Sequence, residues 1–372
     1  MTWTLVESDE ALAEALDALS NASEIAVDTE FMRRNTYYPH IALLQLCSDD
    51  HAWLIDPLKV TDLDGLRALM TDTGCWKVLH SCSEDLEVFR HWLGVVPSPL
   101  IDTQRATALL GKGFGLGYRA LIELLLGVEL DKGETRSDWL KRPLSDSQCH
   151  YAALDVLKLV PAWKILKDLA LSQGRMEWIL DEGEEAIRLL NERDRDIYRR
   201  VKSASRLSPR QLDALRRLCE WREALARSVD KPRGWIVEDK ACIAIAQSMP
   251  ADIEALTDLD VLPASVIRKQ GDTLLACVRG AKDVSQDALP DALPGPLAAP
   301  QRNVLKTLRQ RARQIAEELN VAPEILISTA DLELLLREAS GVEIVEPQRW
   351  QGWRATAVIA PLRASLPGAL EP

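Results

Sequence analysis

Within EIAVDTEF, residues 24 to 31, Asp28 and Glu30 stand two positions apart in an otherwise apolar run. On a strand that spacing turns both carboxylates to one face. Two like charges so close are costly to bury unless a cation lies between them; the alternative is a strand end that meets solvent. A third acid, Asp85 in VLHSCSEDLEVF, falls in the first turn of a helix starting near Ser83, where the helix dipole alone favours an acid. The fourth is Asp155 in YAALD, four residues after Tyr151 and so on the same helical face. None of these is informative by itself. Together they offer what a pair of hard divalent cations requires, carboxylate oxygens converging from separate elements, since Mg²⁺ prefers oxygen ligands in octahedral array. Two such ions roughly 3.5 to 4 Å apart stabilise both the attacking and the leaving oxygens of an in-line phosphoryl displacement. They also lower the pKa of the attacking water, which a nearby phenol such as that of Tyr151 can orient. The expected chemistry is phosphodiester hydrolysis.

These residues need a sheet and helices to bring them together. Ile25 to Val27, Ile41 to Leu46, Ala52 to Ile55 and Trp76 to Leu79 read as strands; Asp62 to Met70, Ser83 to Leu93, Thr103 to Leu110 and Leu116 to Leu126 read as helices. Strands clustered first and then alternating with helices predict a mixed α/β sheet with helices packed on it. Ser145 to Leu171 is one long helical pattern, with a kink expected at Pro161. From about residue 175 the strand signal gives way to helical periodicity. Ser208 as N-cap and Pro209 at the first helical position mark a domain opening. The four prolines and one glycine of 287–300 read as a linker, leaving a smaller helical unit over 301–372.

At 372 residues the chain has room for two or three domains. No apolar run reaches the roughly 18 to 20 residues of a bilayer span, and no signal or transit pattern opens the sequence, so a cytoplasmic protein with no membrane partner is expected. The seven cysteines are scattered and odd in number, which predicts free thiols. The net charge of −12 disfavours nucleic acid as a default partner, but Arg195 to Lys240 holds 13 Lys+Arg against 7 Asp+Glu. The middle of the chain is therefore basic. Trp221 and Trp235 there read as core, and Arg216, Arg217, Arg222 and Arg227 as candidates for backbone contact. The glycines of GKGFGLG, 111 to 117, follow a helical pattern and lack a Walker lysine, so they read as a flexible loop. His80, near Asp85, reads as a polar histidine at a strand end.

In order and context, DTEF at 28 to 31, the stretch around Asp85 and YAALDV at 151 to 156 resemble the three motifs of the DEDD exonucleases, in the subgroup with tyrosine in the third motif. LDKGETRSDWLKRPLS, from Leu130 to Ser145, is similar to the corresponding text of the ribonuclease D family. LSPRQLDALRRLCEWREALAR resembles the opening of an HRDC domain, and WRATAVIAPL the end of a second, weaker copy. The resemblance covers nearly the whole chain. It departs at Lys158, where an aromatic residue is expected, a position peripheral to the metals.

The resemblance implies a ribonuclease H-like exonuclease domain over 1–172, a helical connector over 173–206, an HRDC domain over 207–286, the linker and a second HRDC-like domain. It implies two Mg²⁺ or Mn²⁺ ions. Asp28 would bridge both, Glu30 and Asp155 would complete the site of the nucleophilic water, Asp85 would reach the second ion through water, and Tyr151 would orient the attacking hydroxide. Phe31 could wedge against the terminal base or be a core phenylalanine. Lys132, Arg136 and Arg142, in a polar loop beside Trp139, suit phosphates and bases, a solvated loop being the alternative. The expected function is 3′→5′ exoribonuclease action releasing nucleoside 5′-monophosphates. The substrate implied is a transfer RNA precursor with a single-stranded 3′ tail, and no obligate protein partner is expected. A DNA 3′→5′ exonuclease and a non-catalytic RNA-binding scaffold are the alternatives.

Overall fold

The structure is a computed structural model that describes residues 2–131, 133–134 and 137–366. The chain divides into two compact units: residues 1–32, 40–189 and 297–372 in the first, and 33–39 with 190–296 in the second.

The first unit is built on a six-stranded sheet in the order β1-β4-β3-β2-β5-β6. Its strands are β1 (Thr2–Val6), β2 (Glu24–Met32), β3 (His40–Ser48), β4 (His51–Ile55), β5 (Trp76–Leu79) and β6 (Leu100–Asp102). β3 pairs antiparallel with β2 and β4, while the β1–β4, β2–β5 and β5–β6 pairings are parallel. The sheet is therefore mixed, as the element pattern predicts. β3 is apolar and buried almost end to end because it is covered on both faces.

The helices described along this part of the chain are α1 (Asp9–Leu19), α2 (Asp64–Thr71), α3 (Ser83–Trp92), α4 (Thr103–Leu109), α5 (Tyr118–Leu126), α6 (Asp146–Ser172) and α7 (Met176–Glu192). Ser145 caps α6 through a reciprocal pair with Gln148, so the helix that carries Tyr151 and Asp155 starts at a defined residue. α7 lies so close on β6 that a Cβ at Gly183 would stand 2.0 Å from the Leu100 carbonyl oxygen.

The second unit holds α8 (Pro209–Ser228), α9 (Arg233–Ile236), α10 (Asp239–Ser248), α11 (Ile253–Thr257) and α12 (Ala264–Lys282) around its own core of Leu212, Leu215, Leu218, Ile245, Leu274 and Val278. Ser208 and Gln211 cap α8 reciprocally, with Pro209 in its first turn.

The chain then returns to the first unit with α13 (Ala299–Leu319), α14 (Pro323–Leu326), α15 (Thr329–Ala339) and α16 (Ala360–Ala364). This segment packs on the nuclease half instead of standing as a separate body. The Trp353 ring stacks on that of Trp178 at 4.2 Å. Arg354 and Arg105 converge on the fully buried Glu182. The Ala322 amide donates to the Ala108 carbonyl at 3.0 Å, and Arg175 Nη1 donates to Leu109 O at 2.5 Å and Nη2 to Leu319 O.

Candidate active site

β2 carries Asp28 and Glu30 on the face its spacing predicts, alternating with the buried Val27 and Thr29. Its register with β3 shifts at Glu30/Phe31, a bulge that interrupts the regular pairing beside the acids. α6 brings Asp155 to the same place. One carboxylate oxygen from each of Asp28, Glu30 and Asp155 lies within 4.8 Å of the others. Asp85, in the first turn of α3, is buried and accepts a hydrogen bond from the Thr29 hydroxyl, on the strand residue between the other two acids.

The position of Asp85 depends on a residue that sequence reasoning passed over. Asp102 at the end of β6 accepts from the Ser81 amide (3.0 Å) and the Cys82 amide (3.2 Å) just before α3, and from the Gln104 amide (2.9 Å) at the start of α4. Ser81 holds a left-handed backbone at φ 58° in this turn. One carboxylate thus fixes the starts of two helices.

The four acids press on one another. Burial first, and then the Asp155 charge, raises Asp28 well above the usual carboxylate range. Burial and then the charges of Asp28, Asp155 and Asp85 push Glu30 up to about 9. Asp85 is raised by burial and by Asp28, and burial takes Asp155 to about 7 against the hydrogen bond from Tyr151, which lowers it. Such a group holds protons near neutral pH unless cations lie among its oxygens. A cluster of hard oxygen donors with that deficit of positive charge fits divalent cations and no softer ligand chemistry.

The carboxylates open into a cleft of about 910 Å³, whose walls include Asp28, Glu30, Tyr151 and Asp155. Further wall residues are His80, Tyr118, Gly133, His150 and Lys158. Tyr118 donates to the Leu154 carbonyl (3.1 Å) and to that of Asp155, and so steadies the turn of α6 that holds the acid. His80, the strand-end histidine, lies 2.9 Å from both Thr103 Oγ1 and the Leu116 carbonyl and packs edge-on against Tyr118. The loop at Gly133 sits on Tyr151 so closely that a Cβ there would lie 2.1 Å from the ring, and its φ of +43° is one that glycine adopts freely. Lys158 is nearer the chemistry than expected, since it lines the cleft one helical turn beyond Asp155.

The expected substrate contacts fare differently. Lys132 and Arg136 lie outside the described residues. Trp139 is buried, with its ring centre 6.1 Å from that of Tyr151, so it supports the site from behind and offers no face to a base. Arg142 is also revised: it grips the buried Asp56 with Nε (2.6 Å) and Nη2 (2.8 Å) and donates to the Ala42 and Trp139 carbonyls. Its donors are spent inside the fold, which explains why a basic side chain in this loop does not reach for phosphate. Phe31 is half-buried and is not among the residues that line the cleft.

In the second unit the expected arginines are likewise held by acids. Arg216 and Arg217 pair with Asp213, Arg222 with Asp239, and Arg227 with Glu223 and Asp194. Trp235, expected in the core, is 63% exposed, whereas Trp221 packs against the core. Beside Trp235 a cavity of about 510 Å³ is lined by Arg193, Arg200, Arg222 and Arg233 together with Glu238 and Asp239.

Comparison with known proteins agrees with this geometry. Residues 3–170 match a 3′-5′ exonuclease family model, and 211–278 match the HRDC domain. Ribonuclease D of Pseudomonas paraeruginosa is 39% identical over 352 residues, 94% of this chain and 93% of that protein. Ribonuclease D of Escherichia coli is 37% identical, with 90% of each chain covered. The crystal structure of E. coli RNase D, described as an exoribonuclease involved in structured RNA processing, superposes with a TM-score of 0.88 at 35% identity over 98% of both chains. The catalytic core of RRP6 from Trypanosoma brucei, at 24% identity and a TM-score of 0.52, shares the fold. With the acid cluster in its cleft and relatives that match along almost its whole length, the chain belongs to the ribonuclease D family of 3′-5′ exonucleases.

Proposed function

We propose that the cleft hydrolyses the 3′-terminal phosphodiester of RNA in a two-metal reaction that releases nucleoside 5′-monophosphates. The observation that carries this reading is the meeting of Asp28, Glu30 and Asp155 oxygens within 4.8 Å in an open cleft. Asp28, Glu30, Asp85 and Asp155 are the residues that would hold the cations, Mg²⁺ or Mn²⁺. When bound, such ions supply positive charge for the phosphate oxygens and make water more acidic.

The protein's own groups do the positioning. Tyr151, whose hydroxyl bonds to Asp155, orients the water that adds to phosphorus. The bond from phosphorus to O3′ of the preceding nucleotide breaks, and O3′ leaves as a hydroxyl. Burial and the charge of Asp155 raise the Tyr151 phenol above its ordinary pKa, so it acts as a neutral hydrogen-bond donor and not as a phenolate. Lys158 in the cleft wall supplies a cation for the backbone of the incoming strand. Phe31, Lys132 and Arg136 remain our candidates for gripping the terminal nucleotides.

The substrate we favour is a transfer RNA precursor with a single-stranded 3′ tail, acted on in the cytoplasm. Support comes from the E. coli relative, described as acting in structured RNA processing, and from the HRDC unit with its arginine-lined cavity and exposed Trp235. We also read 301–372 as the second HRDC-like domain. α13, the four-residue α14 and the 11-residue α15 repeat the succession of α8, the four-residue α9 and the 10-residue α10. Labelled RNA and DNA with the same 3′ tail, compared in one Mg²⁺ buffer, test the substrate assignment. RNA should shorten faster, and faster loss of DNA would overturn it.

A further inference from the structure

α13 carries a feature the catalytic reading leaves unused. Arg302, Lys306, Arg309 and Arg313 recur at steps of four, three and four, which on a helix places them in one stripe. All four are exposed. An adjoining side of the same helix is apolar and buried through Leu305, Leu308, Ala312 and Ile315, so the stripe flanks the packed face and stays at the surface. Among the described residues none of the four makes an ion pair. Arg311, which lies off the stripe, is the basic residue of this helix that does, with Glu318 at 2.9 Å. From Ala299 to Ala316 there is no acid at all, in a chain whose net charge is −12. Four unpaired cations in line on an acidic protein create a local field that suits a polyanion.

We infer that the α13 stripe is a docking surface for the sugar-phosphate backbone of the RNA substrate, and this rests on the proposal that RNA is the substrate. Arg302 to Arg313 spans roughly 16 Å of helix, the length of about five stacked nucleotides at ~3.4 Å each. The face offers no aromatic side chain, so it reads phosphate and not base. The stripe belongs to the same compact unit as the catalytic cleft. Its helix ends at Asn320, whose carbonyl oxygen would lie 2.6 Å from a Cβ at Gly111, and Gly111 opens the loop that leads to Gly117 and Tyr118 in the cleft wall. An RNA bound along the stripe would therefore meet a surface held in fixed register with the site that cuts it.

The test is the affinity of the full chain for 5′-fluorescein RNAs of increasing length, from a trinucleotide to a stem with a 3′ tail. Anisotropy is read in EDTA over a range of salt, for the wild type and for Arg302→Gln, Lys306→Gln, Arg309→Gln and Arg313→Gln combined. Because no cleavage is required, the readout is independent of whether the cleft is a nuclease. For the long RNA the variant should bind at least about 10-fold more weakly near 0.1 M salt, with the salt slope reduced by roughly 3, about 0.7 for each phosphate left without its cation. The trinucleotide should show no such difference. An unchanged slope for the long RNA overturns the inference, and so does an equal loss at every length, which would mean that the substitutions act through the fold. The single variant Arg309→Gln, with a slope reduced by about 0.7, keeps the test open if the combined variant does not fold.

Discussion

Asp28 faces both Glu30 and Asp155, so it is the carboxylate whose loss should matter most. Asp28→Asn should abolish hydrolysis while metal-free stability near pH 8 holds or rises, because the change removes a like charge from a crowded site. Urea unfolding in EDTA beside an activity assay checks both, and a large loss of stability would show that Asp28 serves the fold. Tyr151→Phe keeps the ring against Gly133 and removes only the hydroxyl; a rate loss of about 10² to 10⁴ is expected, with metal affinity unchanged by calorimetry. The raised carboxylates also set a pH dependence. Their folded-state pKa values lie above the unfolded ones, so they favour the folded state at low pH and that contribution is lost as pH rises, for Glu30 between 4.5 and about 9. The metal-free protein should therefore melt lower from pH 5 to pH 9, and Mn²⁺ or Mg²⁺ should raise its Tm by an increment that grows with pH. A metal increment that is flat with pH would contradict the cluster's role. The acids and Tyr151 were legible in the sequence because strand period two and helix spacing four place them locally. Gly133, Asp102 and Tyr118 were not, since each acts through a contact 18 to 37 residues away.

At the scale of elements, the strands and helices that carry the acids follow the apolar patterns that announced them. β1, α1 and β6 went unread. β6 has three residues and β1 only one buried side chain, too little pattern to separate from loop. α1 did carry a signal, with Ser8 as N-cap and Leu12, Ala15 and Leu19 on its buried face. The loop after α5 was misread for a different reason. A basic residue next to a tryptophan suits nucleic acid, but it equally suits an internal clamp, and the partner Asp56 lies 86 residues away. Arg142→Ala should accordingly cost stability, about 3 to 5 kcal/mol because Asp56 is left buried and unpaired. Denaturant unfolding checks this, and a variant of full stability with weakened RNA binding would restore Arg142 to the substrate.

At the scale of the whole molecule, the sequence pattern suggested a chain of separate bodies, whereas the final helices belong with the nuclease half. The linker prolines were visible; the surface to which the chain returns was not, because docking is decided by side chains far apart in sequence. Glu182, Arg105 and Arg354 hold that return, and Glu182→Ala should destabilise the first unit by about 3 to 5 kcal/mol, read as a lower denaturant midpoint. A change below about 1 kcal/mol, the range of an exposed pair, would show that the stacked tryptophans suffice.

We propose that the four acids form one metal-dependent centre acting at RNA 3′ ends. Its most direct test incubates a 5′-labelled RNA bearing a short 3′ tail with the wild type and with Asp28→Asn, in Mg²⁺, Mn²⁺ or EDTA, and resolves the products on a denaturing gel. A ladder shortening from the 3′ end is expected with a divalent metal, absent in EDTA and absent in the variant. Intact RNA under every metal, or equal activity from Asp28→Asn, would contradict it.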